Sequence, residues 1–327
     1  MTNVTVMFDT PTNPMHPDAS VDKLLLNMSK SGFQGRKLGE AFLLWKNMIE
    51  TPDIRITIGL SGAIIPAGMQ ECIITLLENH YIDCIVSTGA NMFHDFCEHM
   101  GVKHYVGSHM VDDASLYKNG INRIYDVFAS DKEIGSMEYY IAEFGKSLGK
   151  KTMSSRDFFK HLGEKINAEK PDGRSIIGTC AKLNVPIHVP ALADSSYGIG
   201  LLYGRRKLGS EVVIDQLSDA DELSEFIEVG KKSGIVILGG GTPKNFIQQT
   251  EVIHPKYQDK FLGGHMYALQ ITTDAPHWGG LSGCTFEEGI SWGKEKPESR
   301  KLQCFCDITI ALPILTSALV SAGIKRA

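Results

Sequence analysis

The chain has 327 residues, 43% hydrophobic and 22% charged. That balance excludes collagen-like, coiled-coil and disordered architectures and leaves ample apolar material for a core. Lys plus Arg total 33 against 38 Asp plus Glu, and the net charge of −5 argues against a nucleic-acid partner.

The first residues, MTNVTVMFDTPTNP, lack the basic start and apolar block of a secretory signal. The longest uncharged run, 308–324, contains Pro313, Thr309, Thr316, Ser317 and Ser321, so it predicts a buried helix and not a membrane span. Seven cysteines without a CxxC pair predict reduced thiols in a cytoplasmic protein.

In chain order, residues 1–20 read as an arm. Residues 21–50 read as helical, with Leu24, Leu25, Met28, Leu38, Phe42, Trp45 and Met48 at helical spacing. An α/β alternation follows. Strands are predicted at 54–60 (IRITIGL), 83–88 (DCIVST), 185–190, 234–238 (GIVIL), 266–271 and 302–305. Helices are predicted at 66–80, opening with Pro66, at 91–100, through most of 131–183, at 219–232, from Pro243, at 285–292 and at 308–322. Residues 101–130 read as irregular, with a possible strand near 124–128. The expected fold is a single large Rossmann-like α/β domain at 51–327, a mostly parallel sheet with helices on both faces, preceded by an arm and helical extension at 1–50.

In such a sheet, ligands bind beyond the carboxyl ends of the strands. Three loops there are rich in small residues: Ser61-Gly62-Ala63, Thr88-Gly89-Ala90 and Gly239-Gly240-Gly241-Thr242-Pro243. The third reads as an anion cradle with Thr242 as cap and Pro243 at the first helical position. Neither GxGxxG nor GxxxxGK[ST] is present. No metal site is expected. His94, His99, His104 and His109 fall five apart, which suits no helix face or zinc pattern, so they read as unrelated.

The stretch 272–294, TTDAPHWGGLSGCTFEEGISWGK, is the densest in polar and aromatic groups. Lys294 near Trp292 is a candidate imine-forming amine, since an apolar wall favours the neutral nucleophile. From spacing alone, a helix-end lysine favoured by the helix dipole is the better explanation.

The SWGK segment, preceded by an acidic pair and followed by a strand ending in Asp, resembles the active-site lysine motif of the deoxyhypusine synthase family. GLSGAIIPAGMQE, IVSTGAN, NGINRI, PALADSS, ILGGGTPKNFI, GISWGK and CDITIALPIL occur in the family's order, from about residue 30 to 322. The TTDAPHWGGLSG block resembles the branch of deoxyhypusine synthase-like proteins found in bacteria. The resemblance implies an NAD-dependent 4-aminobutyl transferase. It also implies a homotetramer of two tight dimers, with sites at the dimer interface. Spermidine is oxidised beside its secondary amine, the lysine captures the butylamine group as an imine, and a second amine takes it over.

Carried over by position, Lys294 is the catalytic amine, Trp292 walls the polyamine slot and Glu288 binds an ammonium. Gly62, Ala63, Thr88, Gly89, Ala90, Asp194, Gly240, Gly241, Thr273 and Asp307 fall at NAD-binding positions. On an ideal helix Glu287 would share a face with Lys294, so Lys294 is expected beyond the helix end. Three departures stand out. Asn245 replaces the family's histidine after the Gly-rich loop. Ile199 replaces a carboxylate, and Trp278 and Leu281 stand where acidic residues usually stand. Asp274, His277 and Glu287 are the candidates to compensate. A small-amine acceptor of the homospermidine type is favoured. A protein lysine as acceptor, or a non-catalytic NAD-binding regulator, are the alternatives.

Overall fold

A computed structural model describes residues 11–229, 232–257 and 264–327. Six strands form the central sheet: β1 Ile54–Leu60, β2 Cys84–Ser87, β3 Ile187–His188, β4 Lys232–Leu238, β5 His265–Thr272 and β6 Glu295–Phe305. Their order across the sheet is β6-β5-β4-β1-β2-β3, and every neighbouring pair is parallel. The apolar runs follow from this placement, because a strand covered by helices on both faces has no polar side. Alternate residues feed opposite layers. Ile58, Ile85, Val236 and Leu238 join Phe42, Trp45 and Leu315 in one core, whereas Cys84, Val86, Ile235 and Ile237 join Leu223, Phe246 and Ile247 in the other.

The strand order has one functional consequence. The chain runs outward from β1 to β3, returns to β4 beside β1, and runs outward the other way. The connections leaving β1 and β4 therefore diverge, and the crevice between them is where a doubly wound sheet binds a dinucleotide. The carboxyl ends of β1, β4, β5 and β6 carry the loops of interest.

The α/β alternation holds, but several local expectations need correction. The helix predicted from Pro66 runs only over Gln70–Glu78. Gly62 and Gly68 adopt positive φ (77° and 87°), so 62–68 forms turns and the helix opens after them. Pro66 therefore offers no helix N-terminus to a ligand. The helix after β4 spans Gly241–Gln248 with Gly240 as cap, so Thr242 is not the cap and Pro243 sits at the third position. Residues 101–130 hold a three-stranded antiparallel sheet, Tyr105–Val106, Ile121–Ile124 and Val127–Ser130, with a helix at Asp113–Lys118.

His94 and His104, expected to be unrelated, meet at 2.9 Å, with Glu98 on the far nitrogen of His104 at 2.7 Å. Gly101 in the left-handed region ends the helix and turns the chain back, which brings them together. His99 instead bonds Ser175 and the Ile166 carbonyl, and His109 stacks on Tyr125. The apolar run near the end forms the helix Ile308–Ser321 with Leu312, Leu315 and Leu319 buried. Among the described residues no helix is long and apolar enough to cross a membrane. Of residues 1–20, 1–10 lie outside the described residues, and 11–18 are exposed and without regular structure.

Candidate functional site: the switch-point cleft and the Lys294 turn

A cleft of about 320 Å³ opens at the switch point, lined by Ser61, Gly62, Ala63, Gly239, Gly240, Thr272, Thr273, Asp274, Ser282, Asp307 and Thr309. Five of the predicted cofactor positions, Gly62, Ala63, Gly240, Thr273 and Asp307, therefore share one cavity. Gly241 is the first residue of the adjoining helix. Thr88 lies beside them, its amide donating to the Leu60 carbonyl at the end of β1 at 3.1 Å. Gly89 opens the next helix, with Ala90 exposed after it. A Cβ on Gly89 would fall 2.4 Å from Ser195 Oγ, so its missing side chain admits the loop that carries the exposed Asp194.

Asp307 caps the last helix. One carboxylate oxygen accepts from the Thr309 amide at 2.8 Å and the Thr309 hydroxyl at 2.5 Å. Asp307 is exposed and lines the cleft, and a carboxylate there has the chemistry a ribose hydroxyl needs.

The Gly-rich loop differs from a simple anion cradle. Gly240 N donates to Ser61 Oγ at 2.8 Å and Gly241 N donates to Ser282 Oγ at 3.0 Å. A Cβ on Gly240 would lie 2.5 Å from Ser282 Cα. The glycine thus permits the 276–284 loop to lie directly on the cleft floor, and two of the amides already have partners. Ser61 and Ser282, which sequence reasoning passed over, line the cleft beside them, with Ser61 Oγ also donating to the Leu238 carbonyl at 3.2 Å. Small residues, a positive-φ turn at Gly62 and a carboxylate after β6 suit a dinucleotide lying across the crevice.

Lys294 lies past the helix Phe286–Ser291, in the turn that enters β6, and is not a helix-end lysine. Its Nζ donates to Asn245 Oδ1 at 2.8 Å and stands 5.8 Å from the centroid of the Trp292 ring. Asn245 is held in turn by Gln249, its Nδ2 donating to Gln249 Oε1 at 3.3 Å. Asn245 follows Gly241 by one helical turn, about 6 Å along the axis. The amine is thereby anchored one turn from the floor of the cleft.

Glu288 is exposed and occupies the third position of the helix, where its amide donates to the Thr285 hydroxyl at 3.1 Å. Its carboxylate helps raise the pKa of the half-buried Cys284 thiol, although burial is the larger cause. Trp292 is 66% exposed and Trp278 76%. His277 stands in the exposed turn Pro276–Trp278 with its ring against Trp278. Asp274, expected among the polyamine groups, lines the cleft itself. Ile199 is exposed beside Leu202, Val213 and Leu217 around a separate apolar hollow. The exposed Trp292 thus stands beside Lys294, and the exposed Trp278 and Leu281 sit on the loop that carries Ser282.

One cluster with metal-ligand spacing exists elsewhere among the described residues. His188, Asp219 and Glu222 bring ligand atoms within 4.8 Å of one another. Asp219 is already saturated by Ser155 N, Ser155 Oγ, Arg156 N and His188 Nδ1, so it anchors the start of the Ser155–Glu169 helix.

A doubly wound parallel sheet with a cleft at its switch point places the chain in the Rossmann-like α/β class. The chain matches the deoxyhypusine synthase family over residues 23–319, and it belongs to that family. It is 49% identical to "Probable deoxyhypusine synthase 2" of Archaeoglobus fulgidus over 91% of this chain and 97% of that one. It is 36% identical to "Probable deoxyhypusine synthase 1" of the same organism over 92% of this chain and 94% of that one. The crystal structure of a putative deoxyhypusine synthase from Entamoeba histolytica shares the fold, with a TM-score of 0.63 at 15% identity, covering 97% of this chain and 98% of that chain.

Proposed function

We propose that the chain is an NAD-dependent 4-aminobutyl transferase in which Lys294 carries the butylamine group of spermidine to a small amine acceptor. The observation that supports this most is the hydrogen bond from Lys294 Nζ to Asn245 Oδ1, one helical turn from the cleft floor. Gly62, Ala63, Thr88, Gly89, Ala90, Asp194, Gly240, Gly241, Thr273 and Asp307 would hold NAD. Ser61 and Ser282 add hydroxyl groups beside it. The chemistry supplied by bound NAD is hydride acceptance at the start and hydride return at the end.

The chain's own part is capture and release. Asn245 orients the Lys294 amine, and the Trp292 ring walls one side. The neutral amine attacks the imine carbon of oxidised spermidine, the new C–N bond forms, and the bond to 1,3-diaminopropane breaks. Both protons of the Lys294 amine pass to the nitrogen of the departing amine. Attack by the acceptor amine on the Lys294 imine reverses these roles and frees Lys294. Glu288 would pair with a substrate ammonium, with Asp274 in the cleft and His277 on the exposed turn Pro276–Trp278 as further partners.

The family background includes a protein-lysine acceptor. The relatives carry the deoxyhypusine synthase name; the small-amine reading rests on the replaced carboxylates at Ile199, Trp278 and Leu281, beside the fact that one organism carries both a "1" and a "2" and this chain is nearer the second, 49% against 36%. A second copy in one cell has reason to differ in acceptor. A homotetramer with sites at the dimer interface and a cytoplasmic setting belong to the same proposal. The exposed Trp278, Trp292, Leu281 and Ile199 suit coverage by another copy of the chain. Incubation with NAD and spermidine, with putrescine or a lysine-bearing translation factor as acceptor, tests it. Homospermidine as the main product supports the reading, and transfer only to the protein refutes the choice of acceptor.

A further inference from the structure

Behind the Lys294 turn lies a buried polar network that the proposed transfer does not use. Lys244 precedes Asn245 and is fully buried. Its Nζ donates to Gln270 Oε1 at 2.9 Å and to the Cys284 carbonyl at 2.5 Å, and it stands 5.4 Å from the Phe286 ring centroid. Gln270 and Gln303 are register partners on β5 and β6. Gln303 Nε2 donates to the same two acceptors as Lys244, at 2.7 Å to Gln270 Oε1 and 3.1 Å to the Cys284 carbonyl. Gln270 Nε2 donates to the carbonyls of Gly239 and Ser282, both at 2.7 Å. Three side chains from three elements thereby tie the Gly-rich loop to the segment that leads from Ser282 to Lys294.

The acceptors do not require the lysine. With Lys244 replaced by an apolar chain, Gln270 Oε1 and the Cys284 carbonyl would each keep Gln303 as donor. A buried ammonium without that need is a cost to the fold, since well-packed apolar replacements of buried charges are commonly neutral or stabilising. Burial indeed lowers the Lys244 pKa to about 8, with the nearby Lys294 charge acting in the same direction. What the charged amine adds is a short, charge-assisted grip on the Cys284 carbonyl, at the entry to the helix that precedes Lys294.

We infer that Lys244, supported by Gln270 and Gln303, is a positioning residue that holds the 282–294 segment where Ser282 meets Gly241 and Lys294 meets Asn245. It touches no reacting atom. The inference rests on the transfer reading for its catalytic consequence, but the positioning itself is measurable without it.

The test compares Lys244→Met and Gln303→Met with wild type in the full chain. Four quantities are measured: melting temperature, amide exchange in 282–294, NAD affinity, and the rate of borohydride-trapped adduct at Lys294. Lys244→Met is expected to melt no lower than wild type. It exchanges the 282–294 amides at least tenfold faster and forms adduct at least tenfold more slowly at saturating NAD. Gln303→Met, which keeps both Lys244 bonds, changes exchange and rate less than threefold. A lower melting point in Lys244→Met would make the lysine a fold-holder and overturn the inference. Wild-type exchange and rate in that variant would also overturn it. Should wild type form no adduct, the transfer reading fails, and exchange in 282–294 alone decides on Lys244.

Discussion

Lys244→Met is expected to stabilise the protein at neutral pH and to lose that advantage in alkali. An ordinary lysine titrates near 10.5, whereas burial brings Lys244 to about 8. At 1.36 kcal/mol for each pH unit, the charged form costs the folded state about 3 kcal/mol. Removing the amine also removes two hydrogen bonds, to Gln270 and to the Cys284 carbonyl, worth about 1 kcal/mol each. The net gain at pH 7 is about 1 kcal/mol. A chain of this length loses roughly 0.7 kcal/mol of stability per degree near its midpoint, so the melting temperature rises by about 1–2 °C.

The pH dependence is the sharper signature. The folded pKa lies below the unfolded one, so the unfolded chain binds more protons between pH 8 and 10.5. Wild-type stability therefore rises with pH through that window. The variant lacks this slope, and by pH 10.5 wild type is the more stable of the two. Thermal melts of both proteins at pH 7, 8, 9 and 10 measure the difference. A variant less stable than wild type by the same amount at every pH would refute the reasoning, because Lys244 would then contribute packing and not a buried charge.

Asn245→Ala should slow adduct formation at Lys294 by about 10–100-fold with NAD affinity unchanged, read by single-turnover trapping, because it frees the amine and leaves the cleft intact. Gly240→Ala should weaken NAD binding at least tenfold in titration calorimetry and cost about 1–3 kcal/mol of stability, since its Cβ would lie 2.5 Å from the Ser282 backbone. Glu295 is buried, its Oε2 has no hydrogen-bond partner among the described residues, and burial raises its pKa to about 8. The folded pKa lies above the unfolded one, so its protonated form is compatible with the fold and stability is lost as pH rises from about 4.5 to 8. Glu295→Gln should therefore match wild type in denaturant melts at pH 4.5 and exceed it at pH 8.

Much of the scaffold was legible because strands buried on both faces leave continuous apolar runs, as in IRITIGL and GIVIL. Helix starts were less so. Pro66 fits a first helical turn, but Gly68 in the left-handed region delays the helix, and φ is not written in a residue type. Thr242 and Pro243 misled in the same way, because the helix opens on Gly241. The clustering of Gly62, Ala63, Gly240, Thr273 and Asp307 followed from their places after strands. The strands they follow, β1, β4, β5 and β6, stand consecutively across the sheet, although β4 to β6 lie far from β1 in the chain. Lys294 was legible as a motif, but its bond to Asn245 spans 49 positions and needs the tertiary fold. Gln270 left a faint signal as a polar residue in an apolar run. Its partner Gln303 depends on the β5–β6 register, which composition does not encode. His94 and His104 were misjudged because spacing along a helix says nothing about a chain that turns back.

The amine of Lys294 is the group on which the proposed transfer turns. Purified protein is incubated with NAD and spermidine, reduced with borohydride, digested and mapped by mass spectrometry, with Lys294→Ala alongside. The expected result is a butylamine adduct on Lys294 that requires NAD and is absent from the variant. NAD-bound wild type that yields no adduct, or an adduct that persists in Lys294→Ala, would contradict it.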